Sequence, residues 1–325
     1  MGKKRGLVIG KFLPPHKGHS YLIQHGIDHC DKLTVVVCHR DDQPIHGEMR
    51  AKWIRELHPE ATVLVVVDIE KDDDSQAWAD YTKKFLGYTP DIVFTSEDYG
   101  RTYCECLGCK HVLVDKARIS VPVSGTKVRA NPFREWDYIS PCVRAHYAKR
   151  VCVVGAESTG TTTLAKDLAK YYKTNWAPEY GRIYSEGKLP NSKYGWRSDE
   201  FEHIARMQND LEDYLARTCN KLLIADTDSF ATSVWHERYM DGPSSEVEAQ
   251  SSNREYDLYI ITNDEIPFVQ DGTRDGEHVR HKMHLRFIEK LKQKNKKFII
   301  VSGSKKDRLK EAIKECDKVL ALQTL

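Results

Sequence analysis

Short apolar runs recur along the chain with helix-length amphipathic segments between them, and this alternation restricts the fold more than any other feature. The runs Gly6–Ile9, Leu33–Cys38, Val63–Val67, Ile92–Phe94 and Val112–Val114 read as strands. Each is too short for a helix and is followed by a segment long enough to be one. A βαβα rhythm of this kind gives a parallel sheet covered on both faces, with its ligand crevice outside the carboxyl ends of the strands. The rhythm pauses after Asn131-Pro132, where Glu135 to Tyr147 reads as one helix, and resumes at Val151–Val154, Leu222–Ala225, Leu258–Ile261 and Phe298–Val301. Helices are expected around Glu200–Arg217, Met283–Lys292 and Asp307–Cys316, while the polar stretch Asp241–Arg254 reads as a loop or as a helix followed by one. The expected fold class is α/β, with two doubly wound parallel-sheet domains spanning residues 1–147 and 148–325. A chain of 325 residues is long enough for two separate cores.

Charge excludes some functions. With 50 Lys+Arg against 48 Asp+Glu there is no global basic excess of the kind that coats nucleic acid, so any phosphates must be held locally. The basic start Met1–Arg5 is followed by too few apolar residues for a signal peptide, and no membrane-length apolar run occurs. A cytoplasmic protein with no nucleic-acid and no membrane partner is expected; a homo-oligomer is compatible with the sequence. Nine cysteines, an odd number without secretory context, are expected to be reduced thiols. Cys104, Cys106 and Cys109 lack the second CxxC or histidine pair of a zinc site and read as helix-packing thiols.

Directly after the first strand stands Gly10-Lys11-Phe12-Leu13-Pro14-Pro15-His16-Lys17-Gly18-His19, which fits GxFxPxHxGH at every fixed position. Glycine lets the backbone approach a triphosphate closely. The two histidines share one face of the opening helix turn, and that helix N-terminus adds its positive dipole. Together these make a phosphate cradle. A second segment, Val123-Ser124-Gly125-Thr126-Lys127-Val128-Arg129, sets hydroxyls, amides and two cations where another helix is expected to begin.

On these two signatures the chain resembles the nucleotidyltransferase superfamily, and within it the adenylyltransferase part of the bifunctional NadR-type family, whose other part is a ribosylnicotinamide kinase. Ser96–Gly100 resembles the family's strand-end segment, and Gly47–Arg50 followed by Trp53 resembles its second helix. The family's N-terminal DNA-binding module is expected to be missing, so its regulatory role is not carried over. The resemblance implies attack by the 5′-phosphate of nicotinamide mononucleotide on the α-phosphorus of ATP, releasing pyrophosphate and making NAD. It implies that His19 contacts the α-phosphate and His16 supports the triphosphate. Lys11 and Lys127 would neutralise it, and Ser124, Thr126 and Arg129 would hold the outer phosphates with Mg2+. Gly10, Phe12, Gly18 and Gly125 complete the nucleotide turns. Trp78 is a candidate for stacking on the cationic nicotinamide ring and Arg50 for the mononucleotide phosphate, each against an equally acceptable packing role.

The second half opens on a strand followed by Gly155-Ala156-Glu157-Ser158-Thr159-Gly160-Thr161-Thr162-Thr163, the context a phosphate-binding loop requires. GxxxxGK[ST] calls for lysine at position 161, and threonine stands there. A backbone nest still binds phosphate and Thr162 still offers a hydroxyl to magnesium, because neither depends on that lysine. Lys166, or the Arg274–Arg280 region acting as a lid, are candidate substitute cations. Leu222–Asp228 is an apolar strand ending in acids, so Asp226 is the candidate magnesium ligand. Asp228, or Glu179 in Pro178–Arg182, would orient or deprotonate a ribose 5′-hydroxyl. Asp271–Arg274 and Arg280 resemble the family's lid.

The leading expectation is an enzyme of NAD salvage that binds nicotinamide riboside, nicotinamide mononucleotide, NAD and ATP. The alternatives are an adenylyltransferase whose second half binds nucleotide without turnover, transfer onto another acceptor such as phosphopantetheine, and a non-catalytic NAD or ATP sensor.

Overall fold

Where β-branched and apolar residues run without interruption, the strand they form is buried on both faces: seven of the eight residues of Lys32–His39 are buried. The computed structural model describes residues 3–71, 73–188, 195–252, 254–270 and 276–321, and it divides into two units at Val143 and Arg144.

The first unit runs β1 (Arg5–Gly10), α1 (Lys17–His29), β2 (Lys32–His39), α2 (Gly47–Leu57), β3 (Thr62–Val67), α3 (Ser75–Leu86), β4 (Ile92–Thr95), α4 (Gly100–Leu107), β5 (Lys110–Leu113) and α5 (Gly125–Ala130). Its five strands are parallel in the order β3-β2-β1-β4-β5. Alternate residues serve opposite faces. Val8 packs with Leu22, Ile23, Ala51 and Ile54 of α1 and α2. Leu7 and Ile9 pack with Ala79, Tyr103 and Leu107 of α3 and α4. The order reverses at β1, so the crevice expected of such a sheet opens beyond Gly10 and Thr95.

The expected helix over 135–147 is instead a 3-10 turn, Trp136–Tyr138, followed by α6 (Pro141–Tyr147). Pro141 is the cause: it has no N–H to give to a preceding turn and drives Ser140 out of the helical region, while fitting well at a helix's first position.

The second unit runs β6 (Lys149–Val154), α7 (Thr161–Tyr172), β7 (Trp176–Ala177), α8 (Tyr180–Gly187), α9 (Ser198–Ala216), β8 (Leu222–Asp226), α10 (Ser229–Met240), α11 (Ser245–Ser252), β9 (Leu258–Thr262), α12 (Glu277–Gln293), β10 (Phe298–Val301) and α13 (Lys305–Ala321). Its strands are also parallel, in the order β10-β9-β6-β8-β7. Val151 and Val153 pack under α7 and α13 through Leu164, Leu168, Ala312 and Cys316. Cys152 and Val154 pack under α10 and α12 through Phe230, Val234, Met283 and Phe287. The two-residue β7 and the helix α8, which has no buried face, had no periodic signal in the sequence. All nine cysteines are free thiols. Among the described residues no helix is long and apolar enough to cross a membrane.

Candidate functional site

In the first unit, β1 ends at Gly10 and α1 begins at Lys17, so the first motif forms the turn between them. His16 caps α1: its backbone is extended, and its Nδ1 accepts the amides of Gly18 at 3.1 Å and His19 at 3.4 Å. The His19 ring stacks on that of His16 with centroids 3.7 Å apart, and Phe12 meets His19 edge-on. A side chain at 18 would come within 3.0 Å of the His16 ring, which is the local need for glycine there.

Burial, helped by the charge of Arg118, pushes the His16 pKa down to about 4. Burial, then His16, then Arg118 hold His19 well below the ordinary histidine range. Both rings are therefore neutral near pH 7. With Nδ1 of His16 occupied as an acceptor, its proton sits on Nε2. The pair offers polarised N–H donors rather than two positive charges.

The second motif opens α5. Ser124 caps it, accepting the Lys127 amide at 3.3 Å, and Arg129 hydrogen-bonds the carbonyl of Leu13 and the hydroxyl of Thr126. The two turns share one cavity of about 840 Å³, within the size range of small-molecule sites. Gly10, Lys11, Phe12, His16, Gly18 and His19 line it from the first turn, Ser124, Gly125, Thr126 and Arg129 from the second, and Trp78 from α3. Lys11 lies 3.9 Å from the buried carboxylate of Asp68.

Two residues expected at this site stand elsewhere. Lys127 is exposed and does not line the cavity. Arg50 is wholly buried beneath the cavity wall: its guanidinium donates to the carbonyls of Lys11 and Cys38 and to Gln43 Oε1 at 2.6 Å. It braces the turn from behind through its two terminal nitrogens, and its side chain does not line the cavity. Conversely, Arg118, Glu97 and Arg40 line the cavity without having been singled out individually. Arg118 donates to Glu97 Oε1 at 2.9 Å, and Lys116 pairs with Asp98 beside it, so the loop before the second motif is tied to the turn after β4. No spacing signal marks Arg118; only its place shortly before Ser124 hints at it.

In the second unit, Gly155 to Gly160 loop from β6 into α7. Ser158 and Gly160 adopt positive φ (60° and 86°), which turns successive amides inward. Among the described residues no acceptor is found for the amides of Ser158, Thr159 and Gly160. Several of the loop's other polar groups are anchored. Thr159 Oγ1 donates to Ala156 O at 2.6 Å and meets Thr262 Oγ1 at 2.7 Å. Arg280 donates to Ser158 O at 3.1 Å and Arg308 to Thr159 O at 2.7 Å. Arg280, expected as a lid arginine available to a phosphoryl group, is buried against the loop and donates to its backbone; Asp271–Arg274 lies outside the described residues.

Asp226 ends β8 beside this loop. Both its oxygens are buried without a hydrogen-bond partner, although the hydroxyls of Thr162 and Thr161 approach it, and burial pushes its pKa up to about 6. Asp228 has the opposite fate. It caps α10, with Oδ1 accepting the Ala231 amide at 2.9 Å and Oδ2 the Tyr259 hydroxyl at 2.7 Å, and it is 0 % exposed. The sequence expectation had Asp228 meeting a substrate hydroxyl; the structure shows each of its oxygens engaged by the fold, one by the Ala231 amide and one by the Tyr259 hydroxyl. Glu179 stands half-buried before α8. Its neighbour Tyr180 is held by Gln208, whose Oε1 accepts the Tyr180 amide at 2.9 Å while its Nε2 donates to Thr227 O at 3.3 Å. Gln208 therefore joins the Glu179 segment to the end of β8, a role nothing in the sequence announced.

Two doubly wound sheets, each with a glycine turn at its switch point and inward-facing donors, define an α/β enzyme that handles nucleotides. Residues 150–308 match the AAA domain family. The chain is 30% identical over 324 residues to the trifunctional NAD biosynthesis/regulator protein NadR of Escherichia coli (strain K12), covering 92% of this chain and 79% of that protein. It is 29% identical to the NadR of Salmonella typhimurium (strain LT2), covering 96% and 83%. Two solved NadR structures share the fold over the whole chain: one in complex with NAD and AMP-PNP (TM-score 0.77, 22% identity, 98% of that chain) and one in complex with NR (TM-score 0.79, 21% identity, 98% of that chain). The chain belongs to the NadR family.

Proposed function

We propose that the first unit transfers the AMP part of ATP to the 5′-phosphate of nicotinamide mononucleotide, giving NAD and pyrophosphate, and that the second phosphorylates nicotinamide riboside with ATP. The observation that carries the first half is the convergence of two phosphate-type turns on one cavity with a neutral, stacked histidine pair at its wall.

In AMP transfer, an oxygen of the mononucleotide phosphate forms a bond to the α-phosphorus as the bond from that phosphorus to the β-bridging oxygen breaks. The nucleophile is already an anion, so no base is required, and catalysis rests on alignment and charge stabilisation. His19 and His16 donate N–H groups to the α-phosphate region, the Ser124–Thr126 turn and Arg129 hold the leaving pyrophosphate, and Lys11 balances charge. Trp78 is the indole on the cavity wall available to a pyridinium face.

In the second unit the inward amides of Ser158 to Gly160 suit the β-phosphate. The orphaned Asp226 oxygens next to Thr162 suit a hard divalent cation, so Thr162 and Asp226 would hold magnesium. When bound, that ion neutralises charge on the β and γ oxygens. Glu179 is the remaining carboxylate candidate to receive the ribose hydroxyl proton. A second reading, nucleotide binding without turnover in this unit, is favoured by Thr161 in place of lysine. Incubating the purified protein with ATP and either the mononucleotide or the riboside, and separating products, tests both halves. NAD must form from the first, and a phosphorylated riboside from the second; absence of either sinks that half of the proposal.

A further inference from the structure

A phosphate loop without its lysine still has to balance the negative charge that gathers on a transferring phosphoryl group, and the cations around this loop can be sorted by what already holds them. Arg280 is on Ser158 O. Arg308 is bound by Thr159 O, Asn263 O, Gly303 O and Glu265. Arg182 pairs with Glu186 at 3.1 Å. Lys166 differs from all three. Among the described residues its ammonium has no hydrogen bond or ion pair, and it rests over the face of Trp176, 4.8 Å from the ring centroid.

Its position follows from helix geometry. Lys166 is four residues beyond Thr162 in α7, so the two share a face, and helical side chains lean back toward the N-terminus, here toward the loop. Trp176, in β7, pairs in register with Ile224 of β8, two residues before Asp226. The Lys166 charge is felt at Asp226. Lys166 is solvent-exposed and rests on the face of a partly buried indole, so its ammonium is weakly held and is free to leave for an anion.

We infer that Lys166 replaces the missing loop lysine, moving from Trp176 to the γ-phosphoryl group from the Asp226 side as the ribose oxygen bonds to the γ-phosphorus and ADP departs. This rests on the proposed riboside kinase activity and names the residue that makes it workable with Thr161.

The test uses the full chain as wild type, Lys166→Gln, Thr161→Lys and the double variant. Riboside phosphorylation is assayed alongside AMP transfer, which reports that each protein is folded. Lys166→Gln should lower kinase kcat by about 100-fold, the scale of one lost phosphate-stabilising group, with AMP transfer unchanged. Adding Thr161→Lys to Lys166→Gln should restore at least about tenfold of that loss. A Lys166→Gln enzyme within about threefold of wild type overturns the inference, and so does a loss that Thr161→Lys cannot relieve. Should the wild type show no riboside turnover, the kinase reading fails by itself. ATP affinity of the same four proteins then decides: a weakening in Lys166→Gln that Thr161→Lys reverses keeps the charge replacement, and equal affinities overturn it.

Discussion

Arg129 donates to the carbonyl oxygen of Leu13 at 2.6 Å, across 116 residues of sequence. One guanidinium thus ties together the two turns of the first unit's cavity while its other nitrogen reaches Thr126. Arg129→Lys keeps the charge but not the fork, since an ammonium cannot hold two divergent acceptors in plane. We expect kcat/KM for AMP transfer to fall about tenfold or more with the melting temperature nearly unchanged, measured by steady-state kinetics and thermal unfolding. Wild-type kinetics would show that the link is incidental.

His19→Ala removes the imidazole assigned to the α-phosphate, and NAD formation should drop by at least about 100-fold, with circular dichroism unchanged. Undiminished turnover in a folded variant removes the assignment of this site.

The depressed pKa of His16 makes a statement about stability. The folded value is about 4 against an ordinary 6.5, so between those values the unfolded chain binds more protons than the native one. Stability from this residue is complete above pH 6.5 and is lost as the pH falls through that window. At 1.36 kcal/mol per unit the loss is of the order of 3 kcal/mol. Urea unfolding from pH 7 to 4 should show this slope in the wild type and a shallower one in His16→Asn, which can retain the cap. Parallel slopes would contradict the neutral, buried assignment.

Arg50→Met should destabilise the protein by about 3 kcal/mol, because carbonyls that the guanidinium satisfies are left buried. In protein that remains folded, KM for the mononucleotide should stay within about threefold. A rise of tenfold or more with stability preserved would return Arg50 to the ligand.

Asp226 and Asp228 lie two residues apart and should respond in opposite ways. Raising an acid's folded pKa from 3.8 to about 6 means that stability falls as the pH rises through that window and stays lower above it. Asp226→Asn should therefore stabilise the protein at pH 7, by about 1–3 kcal/mol, while abolishing phosphoryl transfer. Asp228→Ala should remove the α10 cap and the acceptor of the Tyr259 hydroxyl, costing about 1–2 kcal/mol, with kinase turnover per folded molecule retained. Denaturant unfolding and the riboside assay together separate these patterns.

Much of this architecture can be read from the chain itself. Among the described residues nine of the ten strands coincide with apolar runs, because strands of a parallel sheet covered on both faces need such runs and leave a signal that survives without context. Both glycine turns are legible for a similar reason: their chemistry is backbone chemistry, fixed by local spacing. What escapes reading is partnership. Asp226 and Asp228 are equally plausible acids in sequence; only the arrival of Tyr259 and the Ala231 amide fills one and leaves the other bare. Arg50 and Arg280 read as phosphate-facing cations in sequence because nothing local reveals that Lys11 O and Ser158 O wait for them. The helix expected over 135–147 failed at Pro141, where a local rule was available and the acidic, aromatic run was read across it.

Each sheet carries two hydrophobic faces of its own, so neither half borrows its solidity from the other's chemistry. A threonine could settle at position 161 without disturbing the histidine turn that starts the chain. A change within one sheet's glycine turn is thereby answered by that sheet's own packing.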